Sequence, residues 1–204
     1  MGHRDGAHVT LRCVEGLRSL RRPRALRVVE RVFAAEKSRK GFRLVHYAVQ
    51  SNHMHLVCEA DDPLALSRGV QRVACRVARR VNELWKRNGR LFADRFHSVV
   101  FSTPRQARHV LAYVLLNAQK DWAKLGIERD GIDLASSGEL FDGWEDAEPR
   151  GPPPRFAVEE DCPVTKPGSW LLSQGWRRHG LLRRDERAPQ EPLEAACTVV
   201  SCAS

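Results

Sequence analysis

The sequence predicts an α+β fold, one antiparallel sheet with helices packed against it, and three observations carry that prediction. Short runs with two-residue alternation are interleaved with longer runs at helical spacing. Two of the strand-like runs are separated only by Ser51-Asn52, which makes them an antiparallel hairpin. The elements also follow the order strand, helix, strand, strand, helix, strand, helix.

The first strand is "HVTLRCV" (8 to 14), with Val9, Leu11 and Cys13 on one face and His8, Thr10 and Arg12 on the other. A basic loop, "RSLRRP", follows. Pro23 sits where a first helical turn tolerates proline, and Leu26, Val29 and Phe33 recur at helical spacing until Gly41 stops the helix. The runs "FRLVHYAVQ" (42 to 50) and "HMHLVCEA" (53 to 60) form the hairpin. Asp62 and Pro63 open a long helix in which Leu66, Val70, Val73, Val77, Val81 and Leu84 make an apolar stripe. Arg68, Arg72, Arg76 and Arg79 make a second line, expected to be a solvated face, and Gly89 closes the helix. A fourth strand is expected from Phe92 to Phe101, leading through Thr103-Pro104 into a last helix over 105 to 126. Two split βαβ units in this order make a ferredoxin-like sandwich, with two helices on one sheet face and the extra helix free to cover the other.

Residues 1 to 126 thus form the expected domain. Residues 127 to 168 are acidic, rich in Gly and Pro and aperiodic, and read as a linker. Residues 169 to 186, "SWLLSQGWRRHGLLRRDE", read as a short basic and apolar helical segment, and 187 to 204 as a disordered tail.

A net charge of +9 and a pI near 9.7 call for a polyanionic partner, of which nucleic acid is the commonest. No apolar run reaches the roughly 18 residues of a membrane span and no secretory h-region is present, so a cytoplasmic location without membrane attachment is expected. The six cysteines, at 13, 58, 75, 162, 197 and 202, include no CxxC pair and are expected to be free thiols, neither a disulfide framework nor a zinc site.

"SNHMHLV" poses the functional question. Alternation puts His53, His55 and Val57 on one face of the strand and Met54, Leu56 and Cys58 on the other. The apolar set belongs on the two sandwich helices, so both imidazoles point at the face left for the last helix. Two histidines so placed can chelate one metal ion and leave positions open for substrate oxygens. Alone, the pair reads more simply as two polar residues on a partly exposed face, because an ion needs more ligands than two. The last helix adds a polar stripe of Gln106, His109, Tyr113, Asn117 and Lys120, with Tyr113 and Asn117 one turn apart.

With these residues in place, the chain from about Ala7 to Lys124 resembles the HUH-type single-tyrosine transposases, which include the REP-associated tyrosine transposases. The matching stretches are "FRLVHYAVQSNHMH", "GRLFADRFHS" and "YVLLN". The chain departs from the family at Ser51 and Ala118, where many members have proline. The resemblance implies a metal-assisted transposase that cleaves and rejoins single-stranded or hairpin DNA, as a homodimer. It implies Tyr113 as nucleophile and His53, His55 and Asn117 as ligands of Mg²⁺ or Mn²⁺, with Glu59, on the same strand face, as a substitute third ligand. His109 could assist the tyrosine or contact DNA. Arg21, Arg22, Arg95, His97, Lys120 and Lys124 are the expected DNA contacts, each of which could equally be a solvated cation. Two other readings stay open: a non-catalytic nucleic-acid-binding derivative of a transposase, and a metal-dependent nuclease that uses water as its attacker.

Overall fold

In a computed structural model of the protein, residues 5–119, 132–145, 156 and 159–191 are described. Strand β1 (Asp5–Arg12) is followed by α1 (Pro23–Glu36), β2 (Ser38–Arg39), β3 (Phe42–Val49), β4 (His53–Ala60), α2 (Pro63–Trp85), β5 (His97–Phe101), α3 (Pro104–Leu115) and a short α4 (Trp170–Ser173). The five strands form one antiparallel sheet in the order β2-β3-β4-β1-β5. β1 therefore lies between β4 and β5, as two split βαβ units require.

The predicted α+β sandwich is what the chain adopts. One face of the sheet, with Val9, Leu11, Leu44, Tyr47, Met54, Leu56 and Cys58, packs on Val29 and Phe33 of α1 and Val70, Val73 and Val77 of α2. Asp62 caps α2, its Oδ1 accepting the Ala65 N–H at 2.7 Å. Gly69 lets α2 approach closely, because a Cβ there would stand 2.3 Å from the Phe42 ring. Among the described residues, no helix is long and apolar enough to cross a membrane.

Four boundaries differ from the sequence reading. α1 ends at Glu36, and Gly41, with φ +78°, instead turns a tight hairpin that pairs Arg39 with Phe42. α2 ends at Trp85, where Lys86 takes a left-handed conformation three residues before Gly89. The expected fourth strand is split: Phe92 bridges Cys13 and His97 pairs with Thr10, so β1 advances three residues while its partner advances five. The surplus leaves the ladder around Asp94 and Arg95, as a bulge does. Regular α3 stops at Leu115, and Leu116-Asn117 form a turn in which the Leu116 N–H still donates to Ala112 O at 3.0 Å.

The second face is where the late residues go. Val45, Ala48, Val57 and Phe101 of the sheet meet Val110, Leu111, Val114 and Leu115 of α3. Outside α3, the same cluster takes in Phe141, Trp144, Leu171, Leu172, Trp176 and Leu182. Polar staples fix this outer segment: Arg108 forks onto Glu186 at 2.8 and 2.9 Å and donates to Gly180 O and Leu181 O, while Gln119 Nε2 donates to Arg184 O at 2.6 Å. Cys13, Cys58, Cys75 and Cys162 are free thiols, and Cys197 and Cys202 lie outside the described residues.

Candidate active site

The register of the sheet assembles the site. Arg12 lies opposite His53, Thr10 opposite His55 and His97, and His8 opposite Val57 and Val99, so these side chains share the face turned toward α3. α3 begins at Thr103, whose hydroxyl accepts the Gln106 N–H while Gln106 Oε1 accepts the Thr103 N–H. Gln106, expected on the polar stripe, is thus a cap. From that fixed start, Tyr113 arrives over the sheet with its ring edge-on to His55 and His8, at centroid separations of 5.3 and 5.5 Å.

The imidazoles form a chain. His53 Nδ1 stands 2.8 Å from Asn52 Oδ1, His53 Nε2 stands 3.1 Å from His55 Nε2, and His55 Nδ1 stands 3.1 Å from His8 Nε2 and 3.3 Å from Thr10 Oγ1. One self-consistent set of neutral tautomers runs through it: His53 donates from Nδ1 to Asn52, His55 donates from Nε2 to His53, and His8 donates from Nε2 to His55. Moving the His55 proton to Nδ1, where Thr10 Oγ1 can accept it, frees both facing Nε2 lone pairs. Two nitrogens 3.1 Å apart match adjacent ligands of one octahedral ion, which stand about 3 Å apart when each lies roughly 2.1 Å from it. The donor set therefore fits a divalent cation, with Thr10 and His8 behind His55 and Asn52 behind His53 to fix the rings.

His8 is buried and its pKa falls to about 4, chiefly through burial and then through the charges of His97 and His109. It is neutral at neutral pH and so neither repels a cation at His55 nor requires a counter-ion. Burial also raises the Tyr113 pKa above that of an exposed phenol, so the hydroxyl is protonated at rest. His46 sits under the same layer, 3.1 Å from Ser137 Oγ, with its pKa likewise lowered to about 4 by burial.

Protonation of His8 and His46 favours unfolding, because an unfolded chain titrates them near 6.5. Their contribution is fully present above that value and is lost as the pH falls toward 4. At pH 5 the loss is about 2 kcal/mol for each ring. Thermal melts at pH 7 and pH 5 should show a fall of several degrees, and a flat Tm would contradict the buried neutral rings.

Not all the expected site residues come together. His53, His55 and Tyr113 do. Asn117 lies buried in the turn one helical turn beyond Tyr113. Glu59 lies at the far end of β4, where its carboxylate accepts the N–H of Gly168 and both the N–H and hydroxyl of Ser169, at 2.6 to 2.9 Å. It anchors the start of α4 and is not a substitute ligand. Arg21 forms a bidentate pair with buried Asp133, at 2.6 and 2.7 Å, and donates to Val49 O, which ties down a loop. His109 Nε2 lies 3.1 Å from Glu191 O, on the outer segment. Arg22 is exposed at the start of α1, Arg95 is exposed on the bulge before β5 and not on the strand, and His97 is exposed on β5. Lys120 and Lys124 lie outside the described residues. Arg68, Arg72, Arg76 and Arg79 line the opposite side of the molecule, as expected, with Arg76 paired to buried Glu36 at 2.7 Å.

Two site residues were missed, although one signal marks both. His8 and exposed Arg12 stand in the same alternating set of β1, and only the position of that strand beside β4 brings them to the histidine pair.

No curated protein matches the chain. Among solved structures, the chain is similar to a REP-associated tyrosine transposase bound to a REP hairpin, at 16% identity and a TM-score of 0.46, over 57% of this chain and 68% of that one. The family model of IS200-like transposases matches residues 7–116, more than half of the sequence, covering α1, α2, α3 and all of the sheet but the first two residues of β1. The chain belongs to the IS200-like transposase family.

Proposed function

We propose that the protein cleaves and rejoins single-stranded DNA by transesterification at Tyr113. The observation that supports this reading is the convergence on one sheet face of Tyr113 and the facing Nε2 atoms of His53 and His55. The Tyr113 hydroxyl attacks a backbone phosphorus and loses its proton as the new bond forms. The bond to the 3′-oxygen breaks, leaving a 5′-phosphotyrosine on the protein and a 3′-hydroxyl on the released strand. Reversal with another 3′-hydroxyl rejoins the DNA, since the energy of the phosphodiester is kept in the tyrosyl ester.

His53, His55 and Asn117 would hold Mg²⁺ or Mn²⁺, and the bound ion would supply polarisation of the phosphate and stabilisation of the departing oxygen. The chain's own residues prepare the rest. Thr10 and His8 accept the hydrogen bond of the His55 Nδ1–H on the side away from the ion, and Asn52 Oδ1 accepts that of the His53 Nδ1–H. Arg12, Arg22 and Arg95 offer cationic contacts and His97 a polar one for the strand that enters, so binding weakens with salt. Hairpin-forming DNA as substrate and a homodimer as the working form follow from the family resemblance.

The test is covalent capture. Wild type incubated with a hairpin-bearing single-stranded oligonucleotide and Mn²⁺ should give a denaturation-resistant protein-DNA adduct. Tyr113→Phe should give none. Cleavage without an adduct would favour the hydrolytic nuclease, binding without cleavage the non-catalytic derivative, and an undiminished adduct from Tyr113→Phe a different nucleophile.

A further inference from the structure

Gln50 is the residue that the functional reading leaves unexplained. It directly follows β3, is 2% exposed, and neither its Nε2 nor its Oε1 has a hydrogen-bond partner among the described residues. Buried amides are nearly always paired, so an orphaned one implies a partner that binds.

The ladder fixes where it lies. Val49 pairs with Met54 and Ala48 with His55, and the Gln50 N–H donates to His53 O at 2.8 Å, so Gln50 is the cross-strand neighbour of His53. Ala48 and His55 belong to the α3 face and Val49 and Met54 to the opposite one, which puts Gln50 on the same face as the histidine pair. Directly opposed residues have Cβ atoms roughly 5 Å apart, within reach of two long side chains.

The chemistry matches what the pair lacks. Among the described residues no group of three His, Cys, Asp or Glu side chains converges on a metal position, so further donors must come from another residue type. Two imidazoles, even with the Asn117 amide, are a soft and incomplete set for Mg²⁺ or Mn²⁺, which favour several oxygens. An uncharged amide oxygen supplies one. Resting on the metal reading above, we propose that Gln50 Oε1 is a ligand of the ion held by His53 and His55, contributed by the sheet itself. Its Nε2 would then be free to donate to a water or phosphate oxygen.

Mn²⁺ titration without DNA, followed by the electron paramagnetic resonance signal of the free ion, tests this. Wild type should take up one Mn²⁺ and His53→Ala with His55→Ala none. Gln50→Met, close in shape but lacking both polar atoms, should weaken Mn²⁺ binding by at least about tenfold. The same substitution should raise the metal-free Tm by about 3 °C, because it removes an unpaired buried amide. Gln50→Glu should restore binding to at least the wild-type level. Unchanged affinity in Gln50→Met overturns the Gln50 assignment and leaves the histidine pair standing. Wild type that takes up no Mn²⁺, or a double histidine variant that takes up as much, overturns the metal reading and Gln50 with it.

Discussion

Replacing His53 and His55 together by alanine should lower adduct formation by at least about 10³-fold while costing only a few degrees in Tm. A Lewis acid at a phosphoryl oxygen supplies several kcal/mol of transition-state stabilisation, and about 4 kcal/mol is a thousandfold in rate. Both imidazole ligands are removed, and neutral amide oxygens alone hold a divalent ion too weakly to replace them. The cost to folding is small because His53 is partly exposed and the apolar work of β4 belongs to Met54, Leu56 and Cys58 on the other face. The largest penalty is His8, which loses its ring partner. Oligonucleotide binding should persist, since Arg12 and Arg22 are untouched. Quantifying adduct beside a thermal melt checks both halves. An adduct within tenfold of wild type would remove the metal from the mechanism.

Trp176→Ala should destabilise the protein by about 4 kcal/mol, seen as a fall of about 10 °C in Tm. The ring is 1% exposed, packs with Phe141 at 5.3 Å and donates from Nε1 to Leu172 O at 3.1 Å. Gly143 leaves the space the ring fills, since a Cβ there would come within 2.3 Å of it. With the ring gone, the cavity opens directly behind α3, and the helix that carries Tyr113 loses its outer support. Adduct yield should therefore fall as well, at temperatures where the variant is still folded. A change in Tm below about 2 °C would mean that the segment around Trp176 is an appendage and not part of the second layer.

Much of the fold was legible because its signals are local. Alternation in β1, β3 and β4, the tight Ser51-Asn52 turn and the Asp62 and Thr103 caps each depend on a few adjacent residues. Strand and helix periods also turned the histidine pair and Tyr113 toward one face, while their roles came from the family resemblance. What escaped depends on distant partners. Arg21 reads as a free loop cation until Asp133, far along the chain, meets it. Glu59 reads as a spare ligand until Ser169 claims its carboxylate. His8 reads as the solvent side of a strand until β5 and α3 close over it. Gln50 gives no periodic signal at all, because it is the last residue before a turn and its burial comes from elsewhere. The outer segment lacks periodicity because its buried residues, Phe141, Trp144, Trp176 and Leu182, come from turns and 3₁₀ pieces and not from one long helix.

The packing around α3 also bears on modularity. The family match stops at residue 116, yet the helix that brings Tyr113 to the histidines is sandwiched between the sheet and a layer drawn from beyond that point. The chain cannot be trimmed at the motif boundary without laying bare Val110, Leu111 and Leu115 or their partners. For domain grafting or truncation, the indivisible module extends at least to Ala188, the last buried residue of that layer among the described residues.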